Sequence, residues 1–123
     1  SENRTAAILA KAVANDATAL DAATTLRAAT LGGARALGFG ERIGSIEPGK
    51  RADLVCVDLS PLETQPLHNV LSQLVYAVGR HQVSDVWIDG QPKLVQRELV
   101  GMDVSALVAN ARQWRDRIAH IRA

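Results

Sequence analysis

Gly44 and Gly49-Lys50 stand at the spacing of a phosphate-cradling G-x-x-x-x-G-K, a loop whose ligand would be a nucleotide. That chemistry stops at the next residue, because Arg51 takes the place of the Ser or Thr whose hydroxyl would bind magnesium. The order of elements is also reversed. A phosphate loop follows a strand and opens a helix, so that backbone N–H groups and the helix dipole face the anion. Here Pro48 fixes φ at the second position of a turn and Gly49 supplies positive φ at the third. The run Leu54-Val55-Cys56-Val57 that follows, flanked by Asp53 and Asp58, reads as a buried strand. Residues 43–59 are therefore expected to form a strand, a Pro-Gly turn and a buried strand.

The remaining chemistry-bearing residues are scattered. His68, His81 and His120 lie far apart, outside any H-x-H or H-E-x-x-H arrangement, and read as surface or capping histidines. Asp53 and Asp58, five residues apart, point to opposite faces of an extended strand, which suits strand-end and turn acids better than a paired carboxylate site. Cys56 has no His, Lys or Arg beside it in sequence to lower its pKa, so a buried structural thiol is expected. Lys50-Arg51 next to Glu47 reads as turn and ion-pair chemistry. No residue is assigned a catalytic, cofactor-binding or metal-ligating role from the sequence.

Bulk properties exclude several classes. With 14 basic and 13 acidic side chains in 123 residues, no single-sign field recruits nucleic acid or an anionic membrane surface. No apolar stretch reaches the ~18 residues of a membrane span. A single cysteine cannot close an internal disulfide and suits a reducing, cytoplasmic setting. The chain opens Ser1-Glu2-Asn3-Arg4 with Met102 as its only methionine, which suggests an internal start.

The elements that must carry these residues divide into a helical first third, a β-rich middle and a helical tail. Ala6, Leu9, Ala10 and Val13 share one face of a helix over 2–14. Asp21 caps a second helix through about Leu37, with Gly38 in the left-handed position after it. Gly32 and Gly33 inside that helix each cost about 1 kcal/mol relative to alanine, so close packing against another backbone is expected there. Asn69 caps a short helix bearing Leu71, Leu74, Val75 and Val78. Val83 to Ile88 and Lys93 to Val100 read as strands joined through Asp89-Gly90, a type I′ hairpin signal, with Pro92 at an open edge. Asp103 caps a final helix whose Val104, Leu107, Val108, Ala111, Trp114, Ile118 and Ile121 recur every three or four residues. Its other side carries Arg112, Arg115, Arg117 and Arg122.

Three stretches also carry a family resemblance: Thr30-Leu31-Gly32-Gly33-Ala34-Arg35-Ala36-Leu37-Gly38, Ile43-Gly44-Ser45-Ile46-Glu47-Pro48-Gly49-Lys50 and Ala52-Asp53-Leu54-Val55. Together with Val86-Trp87-Ile88-Asp89-Gly90, they resemble the C-terminal part of metal-dependent amidohydrolases. Glu2 to Val13 and Leu67 to Val78 are most similar to the aminohydrolase branch, in particular to the chlorohydrolase-like 5-methylthioadenosine/S-adenosylhomocysteine deaminases.

The resemblance implies an α+β fragment. Residues 1–40 would be terminal helices of a (β/α)8 barrel, and 41–101 C-terminal strands of its accessory β-sandwich with a short helix near 69–78. Residues 102–123 would be a C-terminal amphipathic helix. A complete barrel needs about 200 residues or more, so this chain cannot contain one. In the parent enzyme the resemblance implies a divalent metal, zinc or iron, that activates water to attack the purine C6 carbon and release ammonia, on residues with no counterpart here. It also implies partners in the barrel and N-terminal strands, covalent or separate, and a homo-oligomer. The alternative is a self-contained α+β interaction module with no enzymatic role.

Overall fold

The computed structural model describes residues 2–121, without the side chains of His120 and Ile121. The expectations for those two side chains and for Arg122 lie outside the described part.

Helix α1 (Glu2–Ala14) opens the chain. Its buried contact is Ala7, whereas Leu9 and Val13 are 59% and 81% exposed. The face expected from Ala6, Leu9, Ala10 and Val13 is thus not the one buried, because α1 meets its neighbours through the side centred on Ala7. Lys11 reaches across the following loop and donates through Nζ to the Ala19 and Leu20 carbonyls at 2.5 and 3.3 Å.

Asp21 caps α2 (Ala22–Arg27) as expected, its carboxylate accepting from the Thr24 N–H at 2.7 Å. The helix does not run on evenly. It widens into a π turn over Ala28–Gly32 and closes as α3 (Gly33–Ala36), with Gly38 at φ +76°. A Cβ on Gly32 would meet the Arg27 carbonyl oxygen at 3.2 Å, and one on Gly33 the Ala28 oxygen at 3.5 Å. Gly32 relieves crowding inside its own widened turn, while Gly33 is in ordinary contact with its own helix. The close approach to a second segment occurs at Gly44, where a Cβ would lie 2.7 Å from Ala34 Cβ and 2.9 Å from Leu31 Cα.

Gly44 also explains why residues 43–47 are not a strand. Its φ of +92° breaks the extended path, and the Ile43 N–H turns back to the Phe39 carbonyl at 3.0 Å. The Pro48-Gly49 turn forms as read, with the Lys50 N–H donating to the Glu47 carbonyl at 3.1 Å and Gly49 at φ +89°.

Strand β1 (Leu54–Val57) follows and pairs antiparallel with β2 (Val83–Ile88). It is not buried: Val55 is 60% exposed and Cys56 is an exposed thiol, because no described element covers that part of the strand. Between these strands, Asn69 caps α4 (Val70–Ser72), accepting from the Ser72 N–H at 2.9 Å, and a π turn over Gln73–Ala77 buries Val75 completely.

Asp89 and Gly90, both at positive φ, make the expected hairpin into β3 (Gln91–Val95). The expected continuous strand from Lys93 to Val100 is instead broken. Gln96 and Arg97, at φ +49° and +67°, form a second tight turn into β4 (Glu98–Leu99). No glycine marks it; long-range contacts hold it. The Gln96 N–H donates to Asp85 Oδ1 at 3.0 Å and the Arg97 N–H to the Ser84 carbonyl at 2.8 Å. The sheet is a four-stranded meander ordered β1-β2-β3-β4. Pro92 pairs with Trp87 on the β2 side, and the short β4 pairs only with Leu94 and Val95, leaving Pro92 at an open edge.

The last helix, α5 (Val104–Ile121), is capped by Asp103, which accepts from the Ala106 N–H at 2.9 Å. Every residue from 101 to 119 is exposed. The buried hydrophobic core among the described residues is correspondingly small: Ala7, Ala34 and Val75.

Candidate functional site

Chemistry would require charged or nucleophilic side chains to converge, so the destination of each such group decides the matter. Lys50 has a side chain only 12% exposed. Its Nζ donates to the Gly40 carbonyl and to Ser45 Oγ, both at 2.7 Å, with Glu47 Oε1 at 3.6 Å. The amine thereby fastens both ends of the loop 40–50 and has no orientation left for a phosphate. Glu47 is held below the usual carboxylate range, first by a hydrogen bond from Ser45 and then by the charge of Lys50. Arg51 reaches across to β2, its Nη1 donating to Asp89 Oδ2 at 2.8 Å.

The two acids that flank β1 serve the backbone. Asp53 Oδ1 accepts the Asp89 N–H at 2.6 Å and ties the first hairpin to the start of β1. Asp58 Oδ1 accepts from the Ser60 N–H and hydroxyl at 2.9 and 2.7 Å, and its Oδ2 accepts from Arg97 Nη2 at 3.0 Å. Those donors, Ser60 first, hold the Asp58 carboxyl below its ordinary range. This agrees with the reading of both as strand-end and turn acids.

Arg97 and Gln82 are the positioning residues that sequence reasoning missed. Arg97 links three segments, because its Nε also donates to the His81 carbonyl at 3.0 Å. Gln82 is 1% exposed and is satisfied on both sides: its amide nitrogen donates to the Asp58 carbonyl at 3.2 Å and its oxygen accepts the Gly79 N–H at 2.9 Å. The only signal available in sequence was a polar residue directly before a strand, which is too common to single out.

The histidines do not assemble. His68 and His81 are exposed, and the His81 ring lies over Gly79, whose hypothetical Cβ would meet it at 2.6 Å. Among the described residues no group of three His, Cys, Asp or Glu side chains could hold a metal ion. Among the described residues, Asp53, Asp58 and Asp89 are already committed to backbone N–H groups and arginines.

Two concavities among the described residues bear on the question. One of about 160 Å³ is lined by Phe39, Arg42, Ile43, Arg51, Asp53 and Asp89, and its charges are largely internal, with Arg42 stacked 5.5 Å from the Phe39 ring centroid and Arg51 paired to Asp89. The other, about 390 Å³, is apolar and lies on the sheet, between Ile46, Leu54, Val55, Cys56 and Trp87. Its lining offers hydrocarbon and a thiol, and so presents a surface for packing.

Fold and site together define a positioning unit: helices and a small antiparallel sheet whose polar groups fasten its own loops. The family profile for the amidohydrolase family matches residues 1–93, and the chain belongs to that family. It is 43% identical over 117 residues to a 5-methylthioadenosine/S-adenosylhomocysteine deaminase of Teredinibacter turnerae, covering 95% of this chain and 26% of the relative. A deaminase of the same designation from Saccharophagus degradans is 38% identical over 122 residues, covering 99% and 27%.

Among solved structures, an adenosine deaminase from Xanthomonas campestris with bound zinc superposes with a TM-score of 0.95 at 86% identity, covering 97% of this chain and 27% of that one. The atrazine chlorohydrolase from Arthrobacter aurescens, complexed with zinc, superposes with a TM-score of 0.82 at 27% identity, covering 91% and 25%. The chain thus spans about a quarter of the length of the relatives it matches. No helix among the described residues is long and apolar enough to cross a membrane.

Proposed function

We propose that this chain is the noncatalytic C-terminal portion of a metal-dependent hydrolase that deaminates an adenine nucleoside such as 5′-methylthioadenosine or S-adenosylhomocysteine. Residues 1–40 supply the last barrel helices, 41–101 strands of an accessory β-sandwich, and 102–123 a terminal amphipathic helix. The observation that carries this reading is the match of nearly the whole chain to about a quarter of each deaminase relative, and the apolar hollow on the sheet agrees with it. Leu54, Val55 and Trp87 line that hollow beside an unpaired β1 edge, as expected where further strands of the same protein lie against it.

The divalent ion, zinc or iron, belongs on residues outside this chain, and when bound it supplies an activated water. The part played by these residues is mechanical. Lys50 holds the loop 40–50, Gly44 seats that loop on the helix at Leu31 and Ala34, and Asp53 and Arg97 fix the two hairpins. The setting is cytoplasmic.

Ammonia release tests the reading. The natural polypeptide carrying these residues, supplied with zinc or iron, should release ammonia from 5′-methylthioadenosine or S-adenosylhomocysteine, and the 123-residue chain alone should not. Turnover by the isolated chain would overturn the proposal. Chloride release from a chlorotriazine, with no ammonia from either nucleoside, would place the parent among dechlorinating enzymes instead.

A further inference from the structure

Gln96 and Arg97 stand at φ +49° and +67°, a left-handed backbone that long L side chains seldom adopt. Glycine or asparagine would hold such a turn by local preference; this one is held from other segments. The Gln96 N–H donates to Asp85 Oδ1 at 3.0 Å, and Arg97 Nη2 donates to Asp58 Oδ2 at 3.0 Å. Arg97 adds its own N–H on the Ser84 carbonyl at 2.8 Å and its Nε on the His81 carbonyl at 3.0 Å. Little else restrains the strand beyond. Among the described residues, β4 meets β3 at two pairs, Leu94 with Leu99 and Val95 with Glu98, and the Val100 N–H donates to the Lys93 carbonyl at 3.0 Å.

We propose that the turn 95–98 is a carboxylate-held latch: Asp58 and Asp85 together keep Gln96 and Arg97 left-handed, and neutralising either acid releases both residues. Adjacency couples the two contacts. The peptide joining Gln96 to Arg97 is planar, so a change of backbone at Gln96 turns the Arg97 N–H away from Ser84 and carries the guanidinium away from Asp58. Loss of the Arg97 contacts, in turn, leaves the Gln96 N–H with one exposed partner to oppose the backbone preference.

The charge that acts on both acids is Arg97. Arg80, the His81 ring, Lys93 and Glu98 on the flanking elements make no hydrogen bond or ion pair with either carboxylate among the described residues, and Cys56 lies opposite Asp85 in the β1–β2 register. Donors hold both acids below the ordinary carboxylate range, Ser60 first at Asp58, and Ser84 first and then the Gln96 N–H at Asp85. The latch is therefore shut above the ordinary carboxylate value near about pH 4 and opens as pH falls through the lower folded values. It stands whatever reaction the whole protein carries out.

Hydrogen–deuterium exchange of the full natural polypeptide at about pH 7 tests this, read at the Gln96 N–H and in β1. Asp58→Asn copies the protonated acid in shape, and should speed exchange at Gln96 about threefold to tenfold although Asp58 does not touch that N–H; Asp85→Asn should do the same. Asp53→Asn, which loosens the other hairpin, should leave Gln96 unchanged. If a variant fails to fold, the wild type decides. As pH falls from about 7 to about 3, exchange at Gln96, corrected for its intrinsic pH dependence, should rise before exchange in β1 does. No change at Gln96 in a folded Asp58→Asn, an equal change in Asp53→Asn, or acid that leaves Gln96 protected or opens β1 as early would each overturn the proposal.

Discussion

Replacing Gly44 by alanine separates two costs that usually arrive together. The residue sits at φ +92°, where an L side chain is strained, and a Cβ there would be 2.7 Å from Ala34 Cβ, 2.9 Å from Leu31 Cα and 3.1 Å from the Thr30 carbonyl oxygen. Gly49 is the matched control, at φ +89° with nothing within 4 Å of its would-be Cβ. Backbone strain alone is worth about 1–2 kcal/mol, which is the whole cost expected for Gly49→Ala. Gly44→Ala adds overpacking of about 1–3 kcal/mol, because two of its three neighbours are backbone atoms of the helix and cannot swing aside. The difference between the variants, about 2 kcal/mol, corresponds to a urea midpoint lower by roughly 1–2 M in Gly44→Ala. Urea unfolding followed by the helical circular-dichroism signal measures it. Midpoints for the two variants within about 0.3 M of each other, on the same scale, would refute the claim that loop 40–50 is seated on the helix through Gly44.

Three further outcomes are expected. Lys50→Met should lower stability by about 2–4 kcal/mol, since it removes two charge-assisted hydrogen bonds and strands the Gly40 carbonyl, whereas Glu47→Gln, at a mostly exposed partner, should be mild in the same unfolding measurement. Asp58 has a depressed folded-state pKa, so its contribution is present above the ordinary carboxylate range near about pH 4 and is lost as pH falls through the folded value. Asp58→Asn should therefore flatten the acid limb of a stability–pH curve and leave the slope near neutrality unchanged. Cys56 should react rapidly with a thiol reagent in the isolated chain and more slowly in the full polypeptide, where the sheet hollow is expected to be covered; equal rates would argue against that cover.

Sequence was most legible where a local side chain decides a local conformation. Asp21, Asn69 and Asp103 each cap the helix assigned to them, and Asp89-Gly90 makes the turn its residue types demand. It was least legible where distant groups decide. The Gln96-Arg97 turn has no turn composition of its own and exists because Asp85, Ser84 and Asp58 hold it from other segments. Burial misled at Cys56 and along α1 for a related reason. Apolar composition states what a face needs, and only the presence of a covering element determines whether the need is met. Polar groups of the candidate site were readable as turn and strand-end chemistry, yet the clamp made by Lys50 depends on a carbonyl ten residues away that no motif announces.

Gln82 has a thermal consequence. The largest fully buried side chain of the described structure is an amide, with Val75 and Thr64 next, while Ile46, Leu62 and Val13 remain above 80% exposed. Heat capacity of unfolding rises with newly wetted hydrocarbon and falls with newly wetted polar surface. Taken by itself, a 123-residue chain whose interior is anchored by an amide and a threonine hydroxyl should therefore unfold with a smaller heat-capacity increment than the full polypeptide in which its apolar faces are covered. Its stability curve would be shallow, its melting broad, and its loss of structure on cooling slight.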